Sequence, residues 1–137
     1  MPARSHHTVS QLSTGPILIV GGFLANRPTS SVMLFDPASN TSREVAPLGV
    51  ARARHAAVVL PDGRVLVLGG YNGRHLASVE LYDPSRDRWI AVAPLSAPRA
   101  DGSAVFTPHG IWLSGGTDAY RPVTDGFYPL ASLQSTP

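Results

Sequence analysis

Short apolar runs and glycines alternate along the chain with a long period. A pair of adjacent glycines follows an apolar run three times, at residues 21–22, 69–70 and 115–116, after ILIV, VLVL and IWLS. The pairs lie 48 and 46 residues apart, and LFDP at 34–37 returns 47 residues later as LYDP at 81–84. Recurrence at a nearly constant spacing is the signature of a repeat architecture. The pattern therefore predicts one structural unit, repeated nearly three times.

The middle repeat shows the hydrophobic pattern of this unit most clearly. Its predicted strands are His55–Leu60, Val65–Leu68, Ser78–Asp83 and Arg88–Ala93. Asp62-Gly63 and Asp83-Pro84-Ser85 are typical of the turns between strands. Residues 71–77, YNGRHLA, are predicted to form a loop. Because no segment has sustained helical periodicity, we expect four antiparallel strands per unit, which is the plan of a propeller blade.

Aromatic residues follow the second glycine pair at fixed distances. Tyr82 comes twelve residues after Gly70, and Trp89 comes seven residues after Tyr82. This arrangement resembles a kelch repeat, and the resemblance covers essentially the whole chain. The first repeat departs from it with Phe35 and Ser42 in the aromatic positions, and Phe127-Tyr128-Pro129 in the third lacks the aspartate. The resemblance implies an all-β fold of kelch-type β-propeller blades, each a four-stranded antiparallel sheet.

The number of repeats predicts an incomplete or open ring. The chain is interpreted as a single partial propeller over residues 1–137, with repeats at about 4–50, 51–97 and 98–137, the last incomplete. Closed propellers typically have four to eight blades. Three explanations remain open: a piece of a longer propeller, two copies that close one six-bladed ring, or a partner that covers the flanks. We favour the first, because repeats one and three have drifted from the pattern as internal blades often do.

Several kinds of catalytic or ligand site are disfavoured by the sequence. A phosphate-binding glycine loop leads into a helix, whereas each glycine pair here leads into another strand. The GxSxG and HExxH motifs are absent, and the chain contains no cysteine. Galactose-oxidase-type propellers share the kelch fold, but their copper site uses a Cys–Tyr crosslink. We therefore interpret the glycines as structural and predict no catalytic residue, cofactor or metal site.

Charge and hydropathy narrow the expected partners further. The formal net charge is +2 and no run of Lys or Arg occurs, so no nucleic-acid-binding stripe is predicted. No apolar segment reaches the length of a membrane helix, so we expect no membrane contact. The N-terminus lacks the apolar core of a secretory signal, and an intracellular location is therefore the default.

Arginines recur after the glycine pairs. Arg27, Arg74 and Arg121 lie 47 residues apart, between the second and third strands of each unit, where equivalent loops of a propeller emerge on one face. The predicted partner-binding residues are Arg27, Arg74, Arg121, Tyr71, His75 and Tyr120. The functional interpretation is an arc that meets an acidic protein partner. The alternative is that repeat duplication copied solvated arginines, paired with an aspartate such as Asp118.

Two other repeated positions are predicted to be structural. Arg52 and Arg99, 47 residues apart, are expected to donate to carbonyls of the connection between blades. His55 aligns with His7, which indicates a packing role. The chain is therefore predicted to be a non-catalytic protein-interaction module. The alternative is a fragment of a carbohydrate-active kelch enzyme, oxidase-like or sialate-mutarotase-like, whose active residues lie outside this chain.

Overall fold

The computed structural model describes residues 3–119 and 121–133, which are almost wholly β-structure. The main strands of each repeat form one antiparallel sheet, whose strand order follows the order along the chain. Three such sheets pack face to face in chain order, and we call them blades 1, 2 and 3. The predicted all-β fold of propeller blades is confirmed. No helix in these two ranges is long and apolar enough to cross a membrane.

Blade 1 contains a four-stranded sheet and a small hairpin. Its elements are β1 (Thr8–Gln11), β2 (Ile17–Val20), β3 (Phe23–Leu24), β4 (Arg27–Pro28), β5 (Val32–Asp36) and β6 (Thr41–Val45). The sheet has the order β1-β2-β5-β6. Strands β3 and β4 pair with each other, outside the main sheet, and form a hairpin directly after the glycine pair.

Blade 2 has four longer strands. They are β7 (Ala56–Val59), β8 (Val65–Tyr71), β9 (His75–Asp83) and β10 (Arg88–Val92). The prediction of a loop at residues 71–77 is wrong, because β8 continues through the glycines and β9 begins at His75. A register shift between Leu68 and Gly70 lets Tyr71 pair with His75 across a tight turn. The segment after the glycines is therefore a hairpin here as well.

Blade 3 has a three-stranded sheet in the part of the chain that the structure describes. Its elements are β11 (Ser103–Thr107), β12 (Gly110–Ser114), β13 (Thr117–Asp118), β14 (Arg121–Pro122), β15 (Gly126–Pro129) and a 3-10 turn (Leu130–Leu133). The sheet has the order β11-β12-β15, and β13 pairs with β14 as the third hairpin.

Strand β8 explains why the middle glycine pair follows a continuous apolar run. Its side chains alternate between two neighbours, with Val65 and Val67 packed towards blade 1 and Leu66 and Leu68 packed towards blade 3. All four are at most 3% exposed. A strand covered on both faces has no polar face, so the usual alternation of apolar and polar residues disappears.

The aromatic residues of the repeat lie between neighbouring blades. The rings of Tyr82 and Trp89 are 4.8 Å apart, and the Trp89 indole N–H donates to the Ala46 carbonyl of blade 1 at 2.9 Å. In blade 3 the Tyr128 hydroxyl donates to the Ala93 carbonyl at 2.6 Å, which ties that blade to the end of blade 2. These aromatic groups therefore join each blade to the one before it.

The glycine pairs join each blade to the one after it. The N–H of Gly22 donates to the Arg52 carbonyl and the N–H of Gly70 donates to the Arg99 carbonyl, both at 2.8 Å. A Cβ at Gly69, where φ is +66°, would clash with the Arg99 carbonyl. The backbone thus uses the N–H groups that a phosphate would need, in agreement with a structural role for the pairs.

An arginine at the start of each repeat connects two strands of its own blade. Arg52 donates to the carbonyls of Gly69 and Ser78, at 2.7 and 2.9 Å. Arg4 makes the equivalent bonds in blade 1, to Gly21 and Ser31, and Arg99 in blade 3, to Gly115 and Thr124. The prediction that Arg52 and Arg99 bond to the connection between blades is wrong. Their acceptors lie in the second and third strands of the same sheet, as for Arg52, or next to those strands, as for Arg99.

Candidate functional site

The three hairpins that follow the glycine pairs lie beside the segments that lead into the blades. Short antiparallel bridges join Ser5 to Phe23, Ala53 to Tyr71 and Ala100 to Thr117. In each blade the first member of the bridge precedes the first strand and the second member begins the hairpin. These hairpins and leading segments therefore share one end of the blades, which we call the loop face.

Three residues with positive φ form the inner line of the loop face. His6, Arg54 and Asp101 have φ of 55°, 59° and 64°, and they occupy equivalent positions 48 and 47 residues apart. The Arg54 N–H donates to the His6 carbonyl and the Asp101 N–H donates to the Arg54 carbonyl, both at 2.9 Å. The left-handed conformation, which is uncommon outside glycine, thus links successive blades through a continuous line of backbone hydrogen bonds.

Aromatic and imidazole rings extend across blades 1 and 2 on this face. The Phe23 ring lies 5.6 Å from the His6 ring and 6.5 Å from the Tyr71 ring, and Tyr71 lies 5.4 Å from His75. The Arg54 guanidinium lies 5.1 Å from the centre of the Tyr71 ring, which is within the range of a cation–π contact. The face therefore combines half-buried aromatic surface with cationic groups.

Arg54 and Asp101 form the ion pair of this face. The Arg54 Nε lies 3.0 and 2.9 Å from the two carboxylate oxygens of Asp101, and a second guanidinium nitrogen also contacts the carboxylate. The hydrogen bond from Arg54 lowers the pKa of Asp101, and the charges of His6 and His75 act in the same direction, whereas burial opposes them. Much of the Arg54 charge is consequently balanced within the face.

The arginines predicted from the sequence lie at the tips of the three hairpins. Arg27 begins β4, Arg121 begins β14 and Arg74 lies in the turn between β8 and β9. All three are exposed, and none forms an ion pair with a carboxylate among the residues that the structure describes. Asp118 lies opposite Arg121 in the hairpin register without such a pair.

Part of the predicted site forms one depression. Tyr71, Arg74 and His75 of blade 2 and Asp118 of blade 3 line an open depression of about 430 Å³. Arg27 and Arg121 do not line it, although each lies on a neighbouring hairpin. Tyr120, the sixth predicted residue, lies outside the described residues. The structure thus brings Tyr71, Arg74 and His75 together.

A model of the Kelch motif matches the chain at residues 3–49 and 52–96. The chain belongs to the Kelch motif family. The two matched stretches contain blades 1 and 2, which include the tyrosine and tryptophan of the second repeat. A search of curated proteins finds no match to the chain.

Among solved structures, the kelch blades are similar to part of a fungal alcohol oxidase of the AA5 family that was solved in complex with copper. The similarity has a TM-score of 0.78 at 21% sequence identity and covers 98% of this chain. The chain spans 34% of the length of that oxidase. At this identity the similarity shows the propeller fold alone.

The donor groups of this kelch chain do not fit a copper site of the crosslinked type. The chain contains no cysteine, so a Cys–Tyr crosslink cannot form. Within residues 3–119 and 121–133, no group of three or more His, Cys, Asp or Glu side chains is placed to hold a metal ion. No reaction step through a metal is therefore derived from these residues.

The sequence interpretation missed the inner line of the loop face. The positions of His6, Arg54 and Asp101 follow the repeat period, which is the signal that could have found them. Their side chains differ in charge and size, however, and what they share is a positive φ, which no residue type other than glycine indicates reliably. A search for identical residues at the repeat spacing therefore finds the arginines and passes over this line.

Proposed function

We propose that this kelch chain is a non-catalytic interaction module whose loop face binds an acidic segment of a protein partner. The observation that carries the proposal is the recurrence of an exposed arginine at the tip of each hairpin, on a face that also bears the half-buried rings of Phe23 and Tyr71. Arg is enriched at protein interfaces and forms strong paired hydrogen bonds with carboxylates. Loops held by a rigid scaffold are a common place for such contacts.

The charge distribution supports an acidic rather than a neutral partner. The Arg54 guanidinium faces the carboxylate of Asp101, whereas Arg27, Arg74 and Arg121 have no carboxylate within ion-pair distance in the described ranges. An acidic peptide lying across the hairpins would supply that carboxylate to each. Tyr71 and His75 offer apolar and hydrogen-bonding surface beside Arg74.

The test uses a fluorescein-labelled, glutamate-rich peptide and measures its binding by fluorescence anisotropy at low and physiological salt. Changing Arg27, Arg74 and Arg121 together to Ala is expected to raise the Kd at least tenfold, because three ion pairs are lost. The matched control changes three exposed arginines away from the loop face to Ala, namely Arg43, Arg86 and Arg88. It alters net charge equally and should change the Kd less than twofold. Equal effects of the two triple variants would show non-specific attraction and reject the proposal.

The second candidate is a part of a carbohydrate-active propeller enzyme, oxidase-like or sialate-mutarotase-like, whose active residues lie outside this chain. The structural similarity to the fungal alcohol oxidase favours it, although that similarity extends to the fold alone. The flanking reading frame distinguishes the two candidates. Further kelch repeats without another domain would favour the interaction module, and a catalytic or sugar-binding domain would favour the enzyme.

A further inference from the structure

The two junctions between blades within the chain are built from the same contacts. At each junction, the N–H of the second glycine donates to the carbonyl of the arginine that opens the next blade, at 2.8 Å. The N–H of the next blade's left-handed residue donates to the carbonyl of the preceding one, at 2.9 Å. Apolar residues of the two facing sheets then complete the junction. One blade thus offers glycines and an apolar face, and the next offers carbonyls and another apolar face.

The outer flank of blade 3 presents the glycine half of this junction without its counterpart. Gly115 has φ of +69°, close to the +61° of Gly21 and the +66° of Gly69. A Cβ at Gly21 or Gly69 would strike the arginine carbonyl of the next blade, whereas none of the described atoms lies within 4 Å of a Cβ at Gly115. The backbone is therefore shaped for a neighbour that none of the described residues supplies.

The apolar face of blade 3 on the same flank is also uncovered. Val105, Trp112 and Phe127 are cross-strand neighbours on β11, β12 and β15, and they are 58%, 44% and 47% exposed. These three side chains lie on the face of the sheet opposite to the one that packs against blade 2. A row of exposed apolar side chains across three strands is typical of an interaction surface.

The outer flank of blade 1 presents the complementary half. Arg4 is the equivalent of Arg52 and Arg99, and its side chain makes the same bonds to the second and third strands. His6 is the equivalent of Arg54 and Asp101. Val9, Ile19 and Met33 are cross-strand neighbours on the outward face of this sheet, where Val9 is 59% exposed and the other two are at most 8% exposed. A carbonyl-bearing segment and a second apolar face, which would complete the junction at blade 3, are therefore present at the other end of the same chain.

We propose that two copies of the chain associate through these flanks, with blade 3 of each receiving blade 1 of the other. The Gly116 N–H would donate to the carbonyl of Arg4 in the second copy, and the His6 N–H of that copy would donate to the Asp101 carbonyl. Two identical junctions close one ring of six blades, within the four to eight typical of propellers. An identical copy fits because it covers both flanks at once, whereas an unrelated partner would need two different surfaces. The association does not depend on the loop face binding an acidic peptide.

The first test measures mass in solution by light scattering after size exclusion. The expected mass is twice the 14.5 kDa of one chain. Gly115→Asn should raise the dimer Kd at least 100-fold, because its Cβ would meet the Arg4 carbonyl of the second copy while Asn tolerates positive φ. Trp112→Lys should have the same effect by placing a charge on the flank.

Gly73→Asn is the control for these variants, since Gly73 has positive φ and open space at a hairpin tip. This variant should remain dimeric. A monomeric native chain, larger open assemblies, or a dimer unaffected by both flank variants would overturn the proposal.

A crosslinking test establishes which surfaces meet. Because the chain has no cysteine, His6→Cys and Asp101→Cys can be mixed as two single variants and oxidised mildly. The mixture should give a disulfide-linked dimer, since the backbones of the equivalent residues within the chain are hydrogen-bonded neighbours. Asp101→Cys mixed with Ser39→Cys, whose residue lies in the exposed turn between β5 and β6, should give none. A dimer in solution without the first crosslink would place the interface elsewhere and reject the proposed ring.

Discussion

His55 is a buried histidine held beside a buried arginine. Its Nε2 lies 2.9 Å from the Thr8 hydroxyl of blade 1, and the residue is 6% exposed. Burial, together with the positive charge of Arg52, lowers the pKa of His55 to about 3. The folded chain therefore keeps this imidazole neutral. A neutral, buried ring agrees with the packing role that its alignment with His7 predicts.

Stability should fall with pH below about 6.5 because of this histidine. The unfolded chain binds a proton near the ordinary histidine pKa, and the folded chain does so only near 3, so stability present above pH 6.5 is lost as pH falls. The loss is about 1.4 kcal/mol per pH unit, or about 2 kcal/mol at pH 5. Urea unfolding of the native chain and of His55→Gln at pH 7.5 and 5 measures it.

The His55→Gln variant should lose most of this pH dependence. It should retain the smaller contribution of His7, because burial also lowers the pKa of His7. His109→Gln changes an exposed histidine and should unfold like the native chain at both pH values. The carboxylates with lowered pKa, such as Asp101, titrate below this range. An unchanged drop in His55→Gln would show that another group binds the proton.

At the scale of the secondary-structure elements, most strands could be predicted from the sequence because apolar runs and turn residues mark them. VLVL indicates β8, and Asp62-Gly63 indicates the turn before it. The hairpin after the second glycine pair could not be predicted, because its pairing follows a register shift between Leu68 and Gly70. Such a shift interrupts the alternation on which strand prediction depends.

The glycine pairs lead to a prediction about the contact between blades. Gly69→Ala should destabilise the chain by more than about 3 kcal/mol, because an unfavourable positive φ is combined with a clash against the Arg99 carbonyl. Gly73→Ala provides the comparison, since its φ is also positive but no described atom lies within 4 Å of the new Cβ. It should cost about 1–2 kcal/mol. Urea unfolding measures both, and equal losses would remove the clash as the cause.

At the scale of the whole molecule, the repeat period indicated the order of the blades and the placement of the arginines between the second and third strands of each repeat. The period alone could not indicate which arginines meet carboxylates, because Arg54 and Asp101 occupy equivalent repeat positions with different side chains. It also could not show the depression that Tyr71 and Arg74 share with Asp118. These features depend on how sheets distant in sequence face each other.

The three blades should differ in protection from amide hydrogen exchange. Blade 2 is covered on both faces, whereas blades 1 and 3 are each covered on one, and stability in a repeat protein is nearly a sum of repeat and neighbour contributions. We expect β8 and β9 to exchange slowest and β11 and β12 fastest, because blade 3 has three strands in its described sheet and exposed Val105 and Trp112. Exchange followed by mass spectrometry at increasing protein concentration measures this order.

If the proposed dimer forms, protection of β11 and β12 should also rise with protein concentration in the native chain, and it should not rise in Trp112→Lys. Uniform protection of all three blades at low concentration would mean that the chain unfolds as one cooperative unit, contrary to this expectation.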